Sequence, residues 1–176
     1  MKEHLVLMAD YNAWANRRLY RMAAALTDEQ YRRDTGAYFR SLHGTLSHLL
    51  AADRIWLRRL TGTGDAPARL DAVLFDDLAS LTRARQQEDA RLSTFVGGLS
   101  EAQCSEVLDY RNLSGAPQRE RRTEILAHLF NHQTHHRGQA HVILTTLGVT
   151  EPEPLDLIIM VRERSGTPAP PTPPRT

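Results

Sequence analysis

Cysteine is almost absent from this chain: Cys104 is the only one in 176 residues. No intrachain disulfide is available, and no zinc site built on thiolates. A reducing cytoplasm is the compartment that such a composition suits. Lysine is as scarce, with Lys2 standing alone against 21 arginines. Those arginines are scattered among acids, and the formal net charge is only +1, so no strong field is aimed at nucleic acid or an anionic membrane. Long apolar runs are missing too. The one nearest the C-terminus, Leu157 to Val161, is far short of the roughly 20 residues that span a bilayer. At the other end, Asp10, Asn12 and Asn16 interrupt the stretch after Met1-Lys2-Glu3-His4, leaving no secretory apolar core. Neither secretion nor membrane insertion is expected. What remains is ordinary for a globular domain: 41% hydrophobic and 24% charged residues, enough to bury one core.

Proline is rationed in a way that outlines the architecture. Five of the nine prolines fall within residues 168–174, so 165–176 reads as a disordered tail behind a domain of residues 1–164. The others, Pro67, Pro117, Pro152 and Pro154, separate long proline-free segments with helical periodicity. Segment one, Lys2 to Leu26, spaces Leu5, Met8, Ala9, Asn12, Leu19, Met22 and Ala23 mostly by three or four. Thr27 and Gln30 then occupy the positions of a capping box. Segment two, about Ser41 to Leu60, carries Leu42, Leu46, Leu49, Leu50, Ile55, Trp56 and Leu60 and stops at Thr61-Gly62-Thr63-Gly64. Segment three, about Asp76 to Val96, sets Leu78, Leu81, Ala84, Leu92 and Phe95 against a strongly charged face. Ser100 and Gln103 repeat the capping box. Residues 105–120 break the rhythm and suggest a short extended excursion or hairpin around Asn112-Leu113-Ser114-Gly115. Segment four runs from about Arg122 to Leu147, and a last short helix from Leu155 to Arg164. Four long amphipathic helices with small appendages predict an all-α four-helix bundle.

Histidine is what the chain has in excess. Four of its eight, His128, His132, His135 and His136, lie within nine residues of segment four. Steps of three, four, seven and eight return to nearly one direction on a helix, so these rings share a face. Several imidazoles on one face are costly to bury unpaired, and a divalent ion is the economical partner. Only rings one turn apart can share an ion, which leaves His128 with His132 or His132 with His136. A third ligand has to come from a facing helix, and His48 on the apolar face of segment two is the candidate; His43, five residues earlier, points elsewhere. Gln133 stands where the glutamate of a metalloprotease motif would be, so that chemistry is not indicated.

Three blocks then resemble the DinB/YfiT-like family of metal-dependent proteins, in order and over about residues 1–163. They are YNAWAN from Tyr11, TLSHLLAADRIWL from Thr45, and HLFNHQTHHRGQ from His128. The resemblance implies that His48, His132 and His136 are the metal ligands, choosing between the pairings that spacing left open. It implies a four-helix bundle, a homodimer, and a stress-response setting through the family's damage-inducible name. It also implies, from some relatives, transfer of a low-molecular-weight thiol to an electrophile.

Three neutral imidazoles leave the charge of an ion uncompensated and a coordination position open, which suits hydroxide, carboxylate or thiolate. The expected function is activation of water or a thiol for attack on a small-molecule electrophile, by zinc, nickel or iron. The competing class is a metal-stabilised sensor or interaction module. No catalytic base declares itself: Asp53 should point away from His48, and His135 reads as a surface or dimer-contact residue ahead of a proton carrier. His128 is expected to support the site by hydrogen bonding, with Asn131 and Gln139 as further supports. Arg137 is expected to pair with a carboxylate of the bundle, the alternative being to receive an anionic substrate. Trp14 and Trp56 read as core, and Cys104 as a bystander.

Overall fold

The computed structural model describes residues 1–166, so residues 167–176 of the expected tail lie outside the described residues. The first helix, α1 (Lys2–Ala24), buries Leu5, Ala9, Asn12, Ala15, Asn16, Leu19, Met22 and Ala23 along one stripe. The short α2 (Asp28–Arg32) starts in the expected box: Thr27 Oγ1 accepts from the Gln30 N–H at 3.2 Å, and Gln30 Oε1 from the Thr27 N–H at 2.9 Å. Next, α3 (Leu42–Thr61) opens with the Ser41 hydroxyl accepting from the Gly44 N–H. It closes at Gly62, whose φ of 72° places it in the left-handed region that a residue with a Cβ enters at a penalty. Helix α4 (Leu78–Gly98) is capped by the Asp77 carboxylate and carries through both terminal glycines before Ser100 and Gln103 form the box of α5 (Glu101–Cys104).

The excursion is a hairpin. Strands β1 (Val107–Arg111) and β2 (Pro117–Arg121) pair antiparallel, Asp109 opposite Arg119. Asn112 Oδ1 closes the turn by accepting from the N–H groups of Ser114 and Ala116, both at 3.0 Å. Strand β2 passes straight into α6 (Arg122–Thr146), where the Glu124 carboxylate accepts from the Arg121 N–H at 2.9 Å. The last helix of the described residues, α7 (Leu157–Arg164), packs on α1 through Met160 and is tied by Trp14 Nε1 to Glu163 at 2.8 Å. Among the described residues no helix is long and apolar enough to cross a membrane.

Helix α1 packs on α4 and α6, and α3 packs on the same two, giving the four-helix bundle. Two apolar zones fill it. One gathers Leu19, Leu42, Leu46, Leu50, Leu81 and Leu144, the other Leu5, Leu57, Leu92, Val96, Leu126 and Phe130. Between them every long helix contributes polar groups: Asn12 and Asn16, Asp53, Arg85 and Asp89, Gln133 and Arg137, all buried. The strongly charged face of α4 is thus partly internal. Arg85 lies 2.8 Å from Asp53 and 3.0 Å from Asp89, two acids on different helices. A buried cation between two carboxylates compensates charges that neither helix tolerates alone.

Candidate metal centre

His48 is clamped before any ion is considered. Its ring stacks on Phe39 with centroids 3.9 Å apart and planes 18° from parallel, and its Nδ1 donates to the Leu70 carbonyl at 2.8 Å. That bond fixes the tautomer and leaves Nε2 as a bare lone pair. His136 is set in the same way by its own helix: its Nδ1 donates to Gln139 Oε1 at 2.7 Å, one turn on. Gln139 in turn donates from Nε2 to the His135 ring at 3.1 Å, which orients the amide.

The result is convergence. His48 Nε2 lies 3.2 Å from His132 Nε2 and 3.3 Å from His136 Nε2. Between His48 and His136 no proton is available to bridge, since both spend theirs at Nδ1, so two lone pairs oppose each other. An ion of tetrahedral preference with bonds of 2.0–2.1 Å sets its ligand nitrogens about 3.3–3.4 Å apart. The donor set therefore fits a divalent ion in chemistry and in spacing. Among the described residues, these three side chains form the group positioned to hold a metal.

Electrostatics point the same way. Burial holds all three rings below the usual imidazole range, with His132 pushed down to about 3 by burial and by the neighbouring imidazoles. Metal binding needs neutral rings, and the fold supplies them. Among the described residues no carboxylate joins the cluster; the nearby Asp71 is held by Arg69 at 2.6 and 2.8 Å. The imidazoles line a cavity of about 870 Å³ walled by Tyr38, Phe39, Leu70 and Val73.

The remaining expectations divide. His43 does point elsewhere, bonded to the Phe75 carbonyl at 2.9 Å. Asp53 does too: it lies in the interior, accepting from Gln133 Nε2 at 2.6 Å. Gln139 supports the site, but Asn131 is exposed and lines a separate depression beside Met8. His128 reaches His132 by a ring contact at 5.9 Å and packs on Trp56, so its support is steric where a hydrogen bond was expected. Arg137 is buried but meets the Asn12 amide oxygen and Thr134 Oγ1 where a carboxylate was expected; Asn12 relays to Asp89 at 3.1 Å. Cys104 is buried.

Sequence reasoning missed Phe39 and Leu70. One signal was present: Gly44 lies four residues before His48 on α3, and a Cβ there would stand 2.1 Å from the Phe39 carbonyl oxygen. The backbone carrying Phe39 approaches the helix so closely that only glycine fits.

A helical bundle with three imidazoles from two facing helices converging beside an open cavity defines a class of metal-ready bundle proteins. The chain matches the DinB family model over residues 1–160 and belongs to the DinB family. It is 27% identical over 155 residues to Protein DinB of Bacillus subtilis (strain 168), covering 84% of this chain and 88% of that protein. Its fold is similar to the crystal structure of a DinB-like protein from Bacillus cereus ATCC 10987, with a TM-score of 0.61 and 20% identity, covering 80% of this chain and 90% of that one.

Proposed function

We propose that His48, His132 and His136 bind one divalent ion, and that the protein is an enzyme in which this centre activates a thiol or water for attack on a small electrophile. The observation that carries the reading is the opposition of two deprotonated Nε2 atoms beside an open cavity. When bound, such an ion supplies Lewis acidity that makes water or a thiol nucleophilic near neutral pH. The chain's own groups do the rest. The Leu70 carbonyl and Gln139 hold the two rings in the required tautomer, and Phe39 keeps His48 from turning. His135, exposed at the cavity rim, accepts from Gln139 Nε2 and so orients the amide that holds His136.

Zinc, nickel and iron all accept imidazole nitrogen. The open cavity supports catalysis over a closed structural site, in which a fourth protein ligand would normally be present. Family membership supports a homodimer in a cytoplasmic setting, which sedimentation of the full chain tests; a monomer alone at tens of micromolar removes the dimer. Metal content of protein purified without a histidine tag tests the centre itself. About one equivalent per chain is expected, followed by turnover in a screen of thiol transfer and hydrolysis. A value near zero after added metal and dialysis overturns the reading.

A further inference from the structure

Three of the nine large hydrophobic side chains that stand exposed among the described residues surround one cavity. Tyr38 is 88% exposed, Val73 57% and Leu70 43%, and all three line the space above the histidine cluster. They come from different segments, Tyr38 from the loop between α2 and α3, Leu70 and Val73 from the loop between α3 and α4. Exposed apolar side chains are ordinary when scattered; gathered around a concave polar floor they mark a ligand site. Phe39 extends the same wall down to the floor by stacking on His48. Leu70 serves twice, its carbonyl fixing His48 and its side chain forming the rim.

The charges of the lining sharpen the assignment. Only Arg40 and Asp71 carry formal charge among the lining residues, one of each sign. Each is already paired with a neighbour outside the cavity, Arg40 with Asp34 at 2.9 Å and Asp71 with Arg69 at 2.6 Å. With one charge of each sign, each offset by its neighbour, the rim presents no net charge to favour a charged body. The only strong demand for an anion is at the floor, where three neutral imidazoles would surround an ion of charge +2.

We infer that the cavity takes a ligand with a single anionic donor atom on an uncharged, apolar body of aryl or alkyl type, the donor reaching the histidine floor and the body lying against Tyr38, Leu70 and Val73. This rests on the metal-centre reading and adds to it the class of molecule that the site selects. Small polar donors leave the rim in water, and multiply charged ones find no partner along it.

The test uses the full chain loaded with cobalt(II), titrated separately with phenethyl thiol, mercaptoethanol and mercaptosuccinate and followed by the thiolate-to-cobalt absorption. Phenethyl thiol is expected to bind on the order of 10–100-fold more tightly than mercaptoethanol, as burial of a phenyl group predicts, with mercaptosuccinate weakest. The double variant Tyr38→Ala, Val73→Ser is expected to shrink that preference to a few-fold. Equal affinities, a reversed order, or an unchanged preference in the double variant overturns the inference while cobalt absorption leaves the centre standing. No cobalt absorption at all overturns the centre and the inference with it. If instead no thiol titrates and the double variant sediments as a smaller species than the parent, the rim is a contact between two copies of the chain, and the inference fails.

Discussion

The Nε2 atoms of His48 and His136 face each other across 3.3 Å while both rings donate from Nδ1 to partners outside the cluster. The bond from His136 to Gln139 is the more accessible of the two locks to remove. In Gln139→Leu the ring is free to take the other tautomer, and metal affinity is expected to fall by about 10-fold, within the range seen when such supporting bonds are lost. Competition against a chromophoric chelator measures it. An affinity unchanged within twofold would show that the lock has no role.

Removing a ligand is a sharper test of the cluster. His48→Ala takes away the one ring that α3 contributes to the cluster and leaves His132 and His136 on one helix. Bound metal is expected to drop from about one equivalent to less than about a tenth after dialysis, with far-ultraviolet dichroism unchanged. Full retention of metal would place the ion elsewhere.

The pH dependence follows from rings held below their ordinary range. His132 sits at about 3 against an ordinary 6.5, and His48 and His136 shift in the same direction, burial being the leading cause in each. Below about pH 6.5 the unfolded chain therefore binds more protons than the folded one. Stability due to the neutral rings is present above that pH and is lost as pH falls toward 3. The midpoint of thermal unfolding of metal-free protein is expected to decline from about pH 7 to about pH 4. The slope should be shallower in His132→Leu and steeper with saturating zinc, because the ion and protons compete for the same nitrogens. Parallel profiles for all three samples would contradict this.

Gly44 controls Phe39 through the backbone. A methyl group at 44 would meet the Phe39 carbonyl oxygen at 2.1 Å, so Gly44→Ala must push the loop outward and lift the Phe39 ring from His48. A loss of about 1–3 kcal/mol in stability is expected from the overpacking, with weakened metal binding. Denaturant unfolding and the chelator competition together read both effects.

Arg85 is the hub of the internal polar layer. Replacing it by Met leaves Asp53 and Asp89 buried without their shared cation, at an expected penalty of about 3–5 kcal/mol. Replacing Arg40, whose ion pair with Asp34 lies in water, should leave stability almost unchanged. Urea titrations of the two variants side by side check the contrast.

The long helices were legible because their apolar residues recur every three or four positions and their ends carry explicit chemistry, as at Thr27, Ser100 and Gly62. Histidine spacing narrowed the site to two pairings, and the DinB resemblance chose the one that the fold assembles around His48. Most of the polar layer was not legible, apart from Asn12 within the α1 stripe and Arg137, which was expected to turn toward the bundle. Asp53, Arg85 and Asp89 look in sequence like any solvated charges, and they become internal only when four helices stack at the same height. Phe39 and Leu70 lie in segments with no periodicity. Leu70 fixes His48 through a carbonyl oxygen, a group that every residue possesses and no sequence pattern marks.

His48 and His132 meet although 84 residues of chain separate them. An ion held by both would staple the two helices and close a loop that spans about half the protein. Unfolding would then require the ion to leave, so the free energy of the folded state would rise with the logarithm of free metal once its concentration exceeded the dissociation constant. The number of intact copies in a cell would then track the metal supply of that cell, with starved chains cleared first by proteolysis.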